Sequence, residues 1–218
     1  MINPAATRAG GGVAEERLIE SAAALGVALK PADAMRLMHL TAELARWNRR
    51  VNLTAICEPE RMTSHHLLDS LAVHPDLVGA RIADVGTGAG FPGLPLAVVN
   101  PDRHFTLIDS NGKKIRFVEH AVRELALHNV TTLQRRAETL RPATPFDTIV
   151  ARAVAPLPRL LRQLPGLAGP ATRVVALKGR HPEAELAELP AGWRLVSERR
   201  LQVPGLEAER CVLVLQSA

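Results

Sequence analysis

The chain has 218 residues, a net charge of +5 and an apolar fraction of 47%. That apolar content is ample for a packed core in one domain, or in one domain with a small extension. No run of about 18 apolar residues occurs, so no membrane-spanning helix is expected, and the start lacks the basic-then-apolar pattern of a secretory signal. Cys57 and Cys211 are far apart and show no metal-ligand spacing, which points to a reducing cytoplasm. The calculated pI of about 10.0 suits a polyanionic partner. With no tyrosine and 3% aromatic residues, such a partner is expected to be held through phosphates and shape, not through an aromatic stacking platform.

Residues 1–12 are small and glycine-rich and predict a flexible tail. Residues 13–78 read as a helical extension, and residues 79–218 as an α/β domain packed with it into one unit. A first helix is predicted over Val13–Leu25 and stopped at Gly26. A second starts at Pro31, a residue suited to the first helical turn, and runs to Asn48. Met35, Leu37, Met38, Leu40, Leu44 and Trp47 are expected on its buried side. The polar, turn-forming stretch Trp47–Thr54 leads to a third helix over Pro59–Val73, which carries His65, His66 and Asp69. Adjacent histidines point to different helix faces, so no metal site is expected there. His66 and Asp69 are three apart, share a face, and are expected to meet in a structural hydrogen bond.

From residue 79 the pattern changes to alternating strands and helices. Ile82–Val85 is a short apolar run, right for a buried strand. It leads straight into Gly86, Gly88, Gly90 and Gly93, and an apolar helix resumes over Leu94–Val99. Strand, glycine turn and helix is a physical recipe for holding a nucleotide-like ligand, because glycine permits close backbone approach and a helix start offers free N–H groups. Gly88, Gly90 and Gly93 satisfy the dinucleotide fingerprint. The alternative alignment, Asp84-Val-Gly86-Thr-Gly88-Ala-Gly90, resembles the first motif of the S-adenosylmethionine-dependent methyltransferases. A carboxylate at Asp84 suits a ligand amino group and repels a pyrophosphate. Pro92 removes an N–H from the helix start, where a pyrophosphate would bind.

His104–Asp109 reads as the second strand, and its terminal Asp109 lies where an acid takes ribose hydroxyls. Lys113–Leu127 is an amphipathic helix with Lys113, Lys114, Arg116 and Arg123 as candidate phosphate contacts. Val130–Gln134 is the third strand and Phe146–Ala151 the fourth, ending at Arg152 on the ligand edge of the sheet. Pro156–Leu167 predicts a helix, Arg173–Lys178 a fifth strand, and Pro182–Leu189 a short helix. Lys178 and Arg180 extend a basic rim. Arg194–Leu201 and Arg210–Leu215 complete the sheet as an antiparallel pair.

Taken in order, a set of motifs resembles the bacterial 16S rRNA guanine-N7 methyltransferase family, also called glucose-inhibited division protein B. The markers include Trp47-Asn48, Asn52-Leu-Thr54, His66-x-Leu-Asp-Ser70, the Asp84–Gly93 loop, Leu107-Ile-Asp-Ser110, Lys113-Lys-x-Arg-Phe117, Ala176-Leu-Lys-Gly179 and Glu209-Arg210. The resemblance spans about residues 47–215. It implies a Rossmann-like class I fold with a seven-stranded sheet and an N-terminal helical extension, with S-adenosylmethionine as cofactor. It implies a substrate guanine in the decoding-region loop of 16S rRNA, in the small ribosomal subunit or an assembly intermediate, equivalent to position 527. Carried over by position, Gly86 and Phe91 line the cofactor site, Asp109 meets the ribose, Ala137 and Glu138 border the adenine, and Arg152 lies between cofactor and RNA. His65 stands where the family often has arginine and is assigned to RNA contact. Guanine N7 needs no deprotonation, so no catalytic acid, base, nucleophile or metal is expected, and Arg152 is assigned to orientation. The competing readings are a methyltransferase for another acceptor, a ribosome-assembly protein that binds the cofactor without turnover, and a nicotinamide-dependent oxidoreductase. A monomer is the expected state.

Overall fold

The computed structural model describes the backbone of residues 4–217 and side chains from residue 12 onward. The flexible tail expected over residues 1–12 lies partly outside the described residues, and from Pro4 the backbone is already helical, within α1 (Pro4–Ala24). Helix α2 (Pro31–Asn48) starts on the expected proline. Its buried stripe holds Leu37, Leu40 and Leu44 as expected, whereas Met35 is exposed. Ala34, one residue earlier, takes the inward position.

The third predicted helix is not a continuous α-helix. It comprises α3 (Pro59–Met62), a π-helical stretch (Thr63–Leu68) and α4 (Asp69–Leu71). The wider turn is closed by an N–H···O bond from Asp69 to the carbonyl of Ser64. It also removes the α-helical i,i+3 alignment, so His66 and Asp69 find different partners instead of each other.

A seven-stranded sheet follows: β1 (Arg81–Val85), β2 (His104–Asp109), β3 (Val130–Gln134), β4 (Phe146–Arg152), β5 (Ala168–Lys178), β6 (Trp193–Leu201) and β7 (Arg210–Ser217). Their order is β3-β2-β1-β4-β5-β7-β6, with β7 antiparallel to both of its neighbours. Helices α5 (Gly93–Val99), α6 (Gly112–Glu124), α7 (Leu157–Arg162) and α8 (Glu183–Ala187) complete the α/β architecture. β1 has four consecutive buried residues, the pattern of a parallel strand covered on both faces. Alternation divides the core. Ile82, Phe105 and Val150 pack with the helical extension, α5 and α6, whereas Ala83, Ile108 and Ile149 pack with α7. The strand order reverses between β1 and β4, so their carboxyl ends open a crevice at the switch point. No helix among the described residues is long and apolar enough to cross a membrane.

Leu37 is 0% exposed in the layer joining extension and sheet. Leu37→Ala is expected to cost about 2–5 kcal/mol, read as a lower urea midpoint at unchanged slope.

Candidate active site

The glycine loop is held from beneath by Asp84. This carboxylate is 0% exposed, and its Oδ2 accepts hydrogen bonds from the Thr87 hydroxyl at 2.6 Å and the Gly93 N–H at 2.8 Å. Asp84 therefore sits behind the loop, not on a cavity wall facing a ligand amino group. Burial pushes its pKa up to about 6, against the downward pull of Thr87, Gly93 and Arg152. Asp109 holds the loop from the side: its Oδ2 accepts from the Gly88 N–H at 2.9 Å and its Oδ1 from the Asn111 N–H at 2.8 Å.

The glycines have distinct tasks. Gly86 has φ +69°, and a Cβ there would lie 2.6 Å from Val154. A Cβ at Gly90 would strike Leu94, so that residue packs the loop onto α5. Gly88 faces open space, with Lys114 Nζ the nearest side-chain atom to a built Cβ at 3.8 Å.

Two cavities meet over this loop. One, about 290 Å³, is bounded by Asp109, Arg135, Ala137, Glu138 and Gln163. The other, about 540 Å³, is bounded by Thr54, His65, His66, Phe91, Arg152 and Arg210, among others. Gly86, Lys114 and Ala153 line both. Together they form a continuous trough along the carboxyl edge of β1, β2 and β4. An elongated nucleoside-bearing ligand fits it: the exposed face of Gly88 lets the ligand approach the backbone, and Asp109 retains acceptor lone pairs for hydroxyl donors.

The far wall of the larger cavity comes from the extension. Asn48 accepts from the N–H groups of Leu53 and Thr54 at 2.7 and 3.0 Å and donates to the Thr54 carbonyl at 2.8 Å. This fixes Thr54, whose hydroxyl pairs with His66 Nε2 at 3.0 Å. The His66 ring stacks on Phe91 at 4.8 Å. Burial, reinforced by Arg152, pushes the His66 pKa down to about 4. The Arg152 guanidinium lies over the Phe91 ring, 5.7 Å from its centroid. Its Nη1 donates to Asp69 Oδ2 at 2.9 Å and to the His65 carbonyl at 2.7 Å. Arg210 Nε donates to the other oxygen of Asp69 at 3.0 Å.

Of the residues singled out in the sequence, Gly86, Gly88, Phe91, Asp109, Ala137, Glu138, Arg152 and His65 converge on the trough. Asp84 and Gly90 shape the loop without lining it. Lys178 reaches the larger cavity, but its ammonium is engaged by Glu185 at 2.7 Å and the Ala155 carbonyl at 3.1 Å. Arg180 borders a neighbouring surface cavity with Arg210. Lys113, Arg116 and Arg123 are exposed on α6. Arg123 sits at the far end of that helix, roughly 16 Å along it from Gly112 at 1.5 Å per residue. Lys114, expected as a phosphate contact, lines both cavities of the trough, and the strongest omission is Arg210. A sequence signal for Arg210 existed in the Glu209-Arg210 marker.

The model of one family, "GidB: rRNA small subunit methyltransferase G", matches residues 33–214. The chain belongs to this family. It is 43% identical over 191 residues to ribosomal RNA small subunit methyltransferase G of Escherichia fergusonii, covering 88% of this chain and 92% of the relative. It is 44% identical over 202 residues to the protein of the same name from Pseudomonas paraeruginosa, covering 92% and 94%. The family is one of S-adenosylmethionine-dependent rRNA methyltransferases. Solved structures agree on the class I methyltransferase fold. TrmN from Thermus thermophilus superposes with a TM-score of 0.54 at 23% identity, covering 72% of this chain and 53% of that one. A SAM dependent methyltransferase from Aquifex aeolicus gives 0.52 at 23% identity, covering 73% and 94%.

Two outcomes test the electrostatics. Because the folded pKa of Asp84 is raised, its stabilising contribution is present below the unfolded value of 3.8 and is lost as pH rises through about 6. The stability of the wild type relative to Asp84→Asn is therefore expected to fall by roughly 3 kcal/mol across that window in urea titrations. Asp69→Ala leaves Arg152 and Arg210 without their counter-ion and is expected to cost on the order of 3 kcal/mol by the same method.

Proposed function

We propose that this chain transfers a methyl group from S-adenosylmethionine to N7 of a guanine in the decoding-region loop of small-subunit rRNA, the base equivalent to position 527. One observation carries the choice of atom: the larger cavity holds no carboxylate free to take a proton. Asp69, its one lining carboxylate, has both oxygens engaged by arginine. Its buried His66 is a weak base, and neither cysteine lines it. Such a cavity suits an acceptor that already carries a lone pair and no proton, and guanine N7 is such an acceptor.

In this reading the work is divided among the residues of the trough. Gly86, Gly88 and Phe91 form the cradle for the cofactor, with Asp109 toward the ribose and Ala137 and Glu138 beside the adenine. The bound cofactor supplies an electrophilic methyl group on a sulfonium. The protein's contribution is to align acceptor and donor and to exclude water, a positioning effect. Arg152, anchored to Asp69 and the His65 carbonyl, orients what binds between the two cavities. His65, Lys113 and Arg116 stand on the exposed side, where RNA phosphates approach.

Arg152→Ala leaves Asp69 paired with Arg210, so the thermal midpoint is expected to move little. Methyl transfer to unmodified small subunits is expected to fall on the order of 100-fold. Equal turnover in the variant overturns the role of Arg152. Cleavage of the labelled product at N7-methylguanine is expected at a single base in the decoding-region loop; incorporation at another atom or site overturns the assignment.

A further inference from the structure

A third cavity, of about 490 Å³, lies outside the trough at the end of α2. It is bounded by Arg46, Trp47, Arg49, Arg50, Val51 and His120, and no carboxylate lines it. The acid beneath it, Glu43, is 7% exposed and already engaged. Its Oε2 pairs with His120 Nε2 at 2.6 Å and accepts from Arg46. Burial pushes the Glu43 pKa up, but His120 and Arg46 outweigh it and hold the carboxyl below the usual range.

The walls are braced by packing as well. Trp47 lies 5.0 Å from the His120 ring and 5.7 Å, edge-on, from Phe117. Arg49 and Arg50 differ from this set: they are exposed, and among the described residues their side chains make no hydrogen bond or ion pair. The cavity thus combines a rigid concave floor with two uncommitted guanidinium groups. Guanidinium groups match phosphate oxygens in bidentate geometry.

A basic track joins this cavity to the trough. Lys113, Arg116 and His120 follow one another at spacings of three and four on α6, which places them on one helix face. The track begins beside Lys114, which lines both active-site cavities, and ends in the third cavity roughly 10 Å away along the helix. The acids of this helix are Glu119, exposed beside the track, and Glu124, which lies 3.8 Å from His39.

We infer that this cavity is a phosphate subsite for the RNA strand flanking the target base, with Arg49 and Arg50 contacting the backbone and Lys113 and Arg116 guiding it to the trough. The inference rests on the rRNA methyltransferase reading and adds residues of the helical extension to the RNA interface. Phosphate contacts position a substrate without reading its sequence, and their loss weakens binding in a salt-dependent manner.

The test is the double variant Arg49→Glu/Arg50→Glu, beside Arg159→Glu/Arg162→Glu on α7, which carries the same charge change on the opposite face of the sheet. Methyl transfer to small subunits is measured against substrate concentration and salt. Arg49→Glu/Arg50→Glu is expected to raise KM for the subunit at least 30-fold while kcat at saturation and S-adenosylmethionine affinity stay within twofold. The slope of log kcat/KM against log salt should flatten by roughly 1.4–1.8, from two lost contacts at about 0.7–0.9 each. The α7 variant is expected to stay near wild type. Equal behaviour of the two variants, or a loss confined to kcat or cofactor affinity, overturns the subsite. A wild-type protein that methylates no RNA overturns the functional reading and the subsite with it. A wild type that does so while Arg49→Glu/Arg50→Glu matches it overturns the subsite alone.

Discussion

The site depends on one buried carboxylate shared between two arginines. Asp69 is 2% exposed and pairs with Arg152 at the end of β4 and Arg210 at the start of β7. Three distant stretches of chain are thereby tied together: the helical extension, the central sheet and its antiparallel edge. An isolated anion in such a place would be expensive to desolvate. Two cations on one anion remove that cost and leave an excess of positive charge at the cavity wall. This is the sign an RNA-facing surface needs.

From that knot a line of contacts runs to the glycine loop. Arg152 covers Phe91, Phe91 stacks on His66, His66 pairs with Thr54, and Asn48 holds the Thr54 backbone. Each partner restricts the rotamer of the next, so the wall facing the trough is set before a substrate arrives. The loop itself is braced by Asp84 below and Asp109 beside it. The extension therefore forms one wall of the trough, and an arginine-lined cavity lies at the end of its second helix.

The sheet was legible because its strands carry short apolar runs separated by glycine and charged turns. The prediction for β3, Val130–Gln134, coincides with the observed strand, and the last two strands pair antiparallel as expected. The placement of the glycine loop between β1 and α5, and of Asp109 at the end of β2, was legible for the same reason, since both positions follow from local spacing. What escaped the sequence was mainly long-range. The π-helical stretch at Thr63–Leu68 has no strong local signal, yet it sends Asp69 to partners 83 and 141 residues away. Lys178 ends a strand at the ligand edge as predicted, but Glu185 from α8 engages it, a pairing set by tertiary contact. Met35 followed the apolar pattern of its helix and still faces outward, because the buried stripe of α2 passes through Ala34 instead.

The account's central claim is that catalysis here is alignment without proton removal from the acceptor. His65 also lines the larger cavity, where its Nδ1 meets the hydroxyl of the neighbouring Ser64 at 2.9 Å. The most direct test is therefore the single-turnover rate of methyl transfer to small subunits, followed from pH 6 to pH 9 with both substrates saturating. Alignment of an acceptor that carries no proton predicts a rate that stays level across the range in which an ordinary histidine titrates. A rate that rises with pH toward a plateau within that range, about threefold between pH 6 and pH 7 for an ordinary histidine, would show a group acting as general base and would contradict the account.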